Sequence, residues 1–166
     1  MPTTAFQADC LALCIDAIAA FKALIVQGTF GGISFARGLA EAYVELGGVD
    51  LSVRPDVLIE GPEIGAAKIY LSKTAPLTKD AKGKPGSASF ASAALHLWAE
   101  HQSGSAAAER CLVVDVFAGE VYAAPARNAT RREHLEAACE EIAAMWSAIK
   151  KPPEAPPARP SAAGAP

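Results

Sequence analysis

Between residues 6 and 27, apolar side chains recur every three or four positions. Leu11, Cys14, Ile15, Ile18, Phe21 and Ile25 fall at helical spacing, and Gly28 ends the segment as glycine does just past a helix. After a hinge at Gly31 and Gly32, the spacing of Phe35, Leu39, Tyr43 and Leu46 predicts a second helix over 33–46, stopped by Gly47 and Gly48. The period then drops to two. Val49, Leu51 and Val53 alternate with polar residues as in a half-buried strand, and Pro55 interrupts the ladder. Residues 57–60 continue extended, Gly61, Pro62 and Gly65 mark a turn, and 67–73 return as the partner strand. A loop over 77–87 leads to a helix over 89–102 with Phe90, Ala94, Leu97 and Trp98 inward. The nearly continuous apolar run 111–117 suits a central strand, and 121–124 form a shorter one. Thr130 and Glu133 match a capping box ahead of a last helix, in which Leu135, Cys139, Ile142, Met145, Trp146 and Ile149 recur at helical spacing.

The expected order is ααββαββα. Helices interrupt the strands, which predicts an α/β (α+β) fold: a mixed central sheet of about four strands flanked by helices. The helix at 89 would let the strand at 111 run parallel to an earlier one. The chain has 166 residues, 51% hydrophobic and 20% charged, which suits one domain over 1–150. Residues 151–166 are rich in proline and alanine and lack periodicity, so a disordered tail is expected; a ligand for a proline-reading partner is the sharper alternative.

No apolar run approaches the roughly 20 residues of a membrane span, and no basic region precedes a hydrophobic segment near residue 1. No membrane partner and a cytoplasmic location are the expectations. Cys10, Cys14, Cys111 and Cys139 each sit among apolar residues and read as reduced core cysteines. Cys10 and Cys14 share a helical face, but no CxxC or histidine cluster completes a zinc set. His96 and His101 are five apart, a poor spacing for joint ligation. No GxSxG, P-loop or GxGxxG pattern occurs.

The net charge of -3 argues against a wholly basic nucleic-acid-binding surface. Locally, Lys68, Lys73, Lys79, Lys82 and Lys84 face only Asp80. Of these, Lys68, Lys79, Lys82 and Lys84 are candidate phosphate contacts, with a solvated loop as the bland alternative. Asp115 lies inside an apolar run, where a carboxylate is costly unless paired. It calls for an open sheet face or a cation such as Lys68 or Lys73.

The segment from Asp56 to Thr74 carries the most specific chemistry. Asp56, Leu58 and Glu60 project to one face of the first strand. On the return strand Leu71 and Lys73 share a face, with Lys68 on the other. A register that sets Asp56 against the Leu71 and Lys73 face would bring carboxylates and an ammonium together. Carboxylates supply hard oxygen ligands for Mg²⁺, which activates water, and a lysine can hold the developing oxyanion.

Pro55-Asp56, the triplet Leu71-Ser72-Lys73 and Thr74, followed by the helix at Ser89 and the strand at Cys111, resemble the PD-(D/E)XK nuclease superfamily over residues 50–123. The resemblance implies a restriction-endonuclease-like sheet. It also implies Asp56 and Glu60 (or Glu63) as metal ligands and catalytic acids, with Lys73 polarising water or phosphate. Leu71 stands where the second acid belongs and cannot bind a metal. Three readings follow. The first is a non-catalytic domain of this type binding nucleic acid or a protein, with no cofactor. The second is an active Mg²⁺-dependent nuclease with a migrated glutamate. The third is an accessory protein of unrelated α/β fold, a homodimer joined through its terminal helices.

Overall fold

The computed structural model describes residues 4–37, 42–71, 86–146 and 148–149. Its elements are α1 (Ala5–Val26), β1 (Ser34–Arg37), β2 (Ala42–Leu46), β3 (Val49–Val53), β4 (Val57–Glu60), β5 (Ile64–Tyr70), α2 (Ser87–Ser103), β6 (Ala106–Asp115), β7 (Glu120–Ala123) and α3 (Ala129–Trp146). The fold is mixed α/β, with a five-stranded sheet in the order β1-β4-β5-β6-β7 and a separate β2–β3 hairpin. All sheet pairings are antiparallel except β5 with β6. That parallel pair is joined through α2, the crossover helix that the pattern required.

The expected helix over 33–46 is instead two strands, which changes the order and raises the main sheet to five strands. Ala42, Val44 and Leu46 alternate with Tyr43 and Glu45, a period of two inside the period of four. Gly47 and Gly48 both have positive φ, +55° and +75°. Two such residues make a tight turn whose twist matches the flanking strands, so the pair reverses a hairpin rather than stopping a helix. A Cβ on Gly47 would lie 2.7 Å from the Glu136 carbonyl oxygen, so this turn also seats α3. α3 itself begins at Ala129. Thr130 therefore sits in its first turn, not ahead of it as the capping-box reading had it. The capping box is at the other end of the chain, where Thr4 and Gln7 bond each other's backbone N–H at the start of α1.

Alternation along β5 and β6 sorts the core into two layers. Ala66, Cys111 and Val113 face α2, packing with Leu95, Trp98 and Ala99 and with the hairpin residues Val44 and Val53. Ala67, Ile69, Leu112, Val114 and Val116 face the opposite way. There Leu24 of α1 and Phe30 cover the far end of β6. Phe30 is gripped between the rings of Phe21, 5.8 Å away, and Phe35, 5.3 Å away and edge-on.

Asp115 is buried and accepts the Ala118 N–H at 3.1 Å. It closes the β6–β7 turn, so its burial needs neither an open face nor a lysine. Cys10 and Cys14 are exposed on α1, contrary to the core reading, whereas Cys111 and Cys139 are buried. A helix that is apolar nearly all round does not reveal which side meets the sheet. Among the described residues no helix is long and apolar enough to cross a membrane. The 151–166 tail lies outside the described residues.

Candidate functional site

Asp56 sits one residue before β4. The register Val57 to Ala67 places Lys68 across from it. The Lys68 ammonium donates to the Asp56 carboxylate at 3.0 Å and to the Arg54 carbonyl at 3.2 Å. The second carboxylate oxygen of Asp56 accepts the Ile69 N–H at 2.7 Å. An acid and a lysine thus converge, but the lysine is Lys68, which the resemblance left among the phosphate contacts. Ile69 and Leu71 lie on the other side of the sheet, against α1. The face carrying Leu71 is therefore not the face that Asp56 meets. The hairpin is centred on Pro62, with Ile59 paired to Gly65, and this register sets Asp56 opposite Lys68 rather than Lys73.

With Lys68 as the lysine of an acid-any-lysine triplet, the acid position becomes Ala66, fully buried in the α2-facing core. No carboxylate stands there. Glu60 shares the Asp56 face by parity, but four residues along a strand span about 13 Å. Its carboxylate accepts the Ser34 hydroxyl at 3.0 Å across the β1–β4 pair. Asp56 and Glu60 therefore do not converge on one Mg²⁺. Glu63 is exposed at the hairpin turn. Among the described residues no group of three or more His, Cys, Asp or Glu side chains could hold a metal ion. Lys73, Lys79, Lys82 and Lys84 lie outside the described residues.

Lys68 borders a shallow cleft of about 320 Å³ between β3 and α2, which Arg54, Ser52, Ala91 and Leu95 also line. Two cationic side chains at its edge make it the described cleft best suited to an anion. The bond to Asp56 already neutralises one of them. If Asp56 is chiefly a strand-end acceptor, Asp56→Ala lowers stability by about 1–2 kcal/mol. Asp56→Asn loses less, because an amide oxygen can still accept from Ile69. Urea midpoints of the two variants check this.

A polar cluster that sequence spacing did not reveal joins α2 to α3. The buried His96 ring donates from Nε2 to the Ala106 carbonyl at 2.9 Å and accepts at Nδ1 from Asn128 at 2.9 Å and from Arg132. Arg132 also donates to Glu100 at 2.7 Å. This bond holds the Glu100 carboxyl below the ordinary carboxylate range against the opposing effect of its burial. Every ring nitrogen of His96 is occupied, so the cluster positions α3 rather than offering a base.

Cys111 is no nucleophile either. Burial pushes its thiol from 9.0 up to about 12, and only the thiolate attacks. Native protein at pH 8 should give two fast-reacting thiols, Cys10 and Cys14, with Cys111 and Cys139 reacting on unfolding. The same shift sets a pH dependence. Between about pH 9 and 12 the unfolded chain loses a proton that the folded chain keeps, so stability falls as pH rises, by about 1.4 kcal/mol per pH unit from this group. Cys111→Ala removes that contribution, and denaturant midpoints at pH 8 and 10 for the two proteins measure it.

Compared with known protein families, curated proteins and solved structures, the chain matches none of them.

Proposed function

We propose that the chain is a non-catalytic binding domain that docks a protein partner where α3 meets the β2–β3 turn. The observation that carries this reading is Trp146. It is 70% exposed and borders an apolar cleft of about 280 Å³ with Ile142, Ala143, Gly48 and Val49. Tryptophan beside an apolar pocket is the side-chain type that dominates binding energy at protein interfaces. Met145 and Ile149, both exposed, extend the patch, and the His96, Glu100 and Arg132 cluster holds α3 in place.

The framework we assign is a degenerate PD-(D/E)XK-like one. Two observations support the absence of catalysis in that assignment. Both Asp56 carboxylate oxygens serve strand-end contacts, and alanine occupies the acid position of the triplet. The net charge of -3 and the Asp56–Lys68 pair weigh for a protein partner over nucleic acid.

The test keeps Trp146 and places a photo-crosslinking phenylalanine analogue at the exposed neighbour Met145 in the full chain. A single defined protein adduct that disappears with Ile142→Asp is expected. The proposal is overturned by the absence of any adduct. It is equally overturned by Mg²⁺- or Mn²⁺-dependent cleavage of nucleic acid that Asp56→Ala abolishes.

A further inference from the structure

α1 rests on the sheet through Ala20, Phe21 and Leu24, which pack with Phe30, Val114 and Val116. Beside that contact a cleft of about 500 Å³ opens between the helix and the end of β5. Its helical wall runs from Cys14 through Ile18 and Phe21 to Ile25, and its sheet wall is Ile69 and Leu71. Lys22 is the only charged residue on either wall. No carboxylate stands three or four residues from it along the helix, where Ile18, Ala19, Ile25 and Val26 sit. Among the described residues Lys22 has no hydrogen bond or ion pair. Its stem can lie along the apolar wall and hold the ammonium at the rim.

We propose that this cleft binds a long-chain carboxylate, with the head group at Lys22 and the hydrocarbon tail running toward Cys14. The volume lies within the range of small-molecule sites, about 300–1,000 Å³. The walls decide against a peptide strand. β5 is paired on both sides, with β4 and β6, so it has no free ladder to offer. An inserted backbone would leave N–H and C=O groups unmatched, whereas a hydrocarbon tail has none to match. From Lys22 to Cys14 is eight residues, about 12 Å of helix, which gives a single tail a continuous apolar bed. The unpaired ammonium selects an anionic head over a cationic one.

The full chain is titrated calorimetrically with decanoate, dodecanoate and tetradecanoate, each below its micelle concentration. Affinity should rise roughly two-fold per methylene, half the four-fold of complete burial. Lys22→Glu should weaken dodecanoate ~10-fold and make dodecyltrimethylammonium the tighter ligand. Ile18→Asp and Leu71→Asp, one on each wall at half-exposed positions, should each abolish binding with an unchanged circular dichroism spectrum. Saturating dodecanoate should slow alkylation of Cys14, while Cys10, exposed but outside the cleft, reacts as before. Binding that ignores chain length, or that persists in Leu71→Asp, would overturn the proposal. So would equal affinity of the native chain for the two head groups, or a Cys14 as unreactive as Cys139 before any ligand is added. Association with phosphatidylglycerol vesicles in place of the free carboxylate would overturn it too.

Discussion

Trp98→Ala should be the most damaging single substitution in the α2 layer, lowering unfolding free energy by about 3–5 kcal/mol. Trp98 is fully buried in the middle of α2, within the cluster that also holds Leu95, Ala99, Cys111, Val113 and Ala124. That cluster joins the crossover helix to the sheet and to the β2–β3 hairpin, so the cavity would open where three elements meet. A domain of this size has about 5–15 kcal/mol in total, and the loss would be visible as a large drop in the urea midpoint followed by circular dichroism. Trp98→Phe separates packing from polarity. The indole N–H has no hydrogen-bond partner among the described residues, and burying such a donor costs about 1–3 kcal/mol. Phenylalanine gives up some volume but also removes the orphan donor, so its midpoint should fall by less than half as much.

Gly65→Ala should cost about 3 kcal/mol, near the upper end for overpacking by one methyl. The β5–β6 ladder slips at this point: Ile64 pairs with Ala106, yet Ala66 pairs with Cys111. Four residues of β6 are thus accommodated beside Gly65 alone, and Arg110 closes directly over it. An added Cβ would lie 2.5 Å from the Arg110 carbonyl oxygen and 2.6 Å from the Arg110 Cβ. Backbone cannot rotate away as a side-chain tip can, so the central parallel pair must part. Gly104→Ala is the comparison. Its φ is +78°, but a Cβ there meets nothing within 4 Å. The backbone penalty alone, about 1–2 kcal/mol, is expected. Thermal unfolding of the two variants ranks a steric constraint against a conformational one.

Both sites bear on function through placement. Trp98 supports the helix against which α3 is pinned, and Gly65 sits in the hairpin that presents Asp56 and Lys68. Neither touches the Trp146 patch, so loss of that surface in either variant reports unfolding and not a lost contact.

Periodicity alone located α1, α2 and α3 closely, because each is long enough for its period to dominate; the apolar run 111–117 marked only the second half of β6, which begins at Ala106 and ends at Asp115. It misassigned 33–46, where Phe35, Leu39, Tyr43 and Leu46 keep helical spacing while Ala42, Val44 and Leu46 alternate. Two periods coexist in a short segment, and the φ-permissive Gly47 and Gly48 decide between them only once the turn has α3 to pack against. The candidate site was half legible. An acid at 56 and a lysine on the next strand follow from the chain, but pairing Asp56 with Lys68 depends on register, and a one-residue slip changes the face of every side chain. The fates of Cys10 and Cys14 were not legible either, because a helix apolar on two sides carries no mark of which side the sheet will choose.

The amino-acid order thus determined on its own the α/β class, the parallel crossover through α2 and the presence of a carboxylate and lysine near the central hairpin. These rest on local period and connection length. Only the tertiary structure decided that Asp56 meets Lys68, that Asp115 closes a turn, and that one face of α1 and the end of α3 stay uncovered. Those outcomes depend on which distant surfaces meet, and no local pattern encodes that.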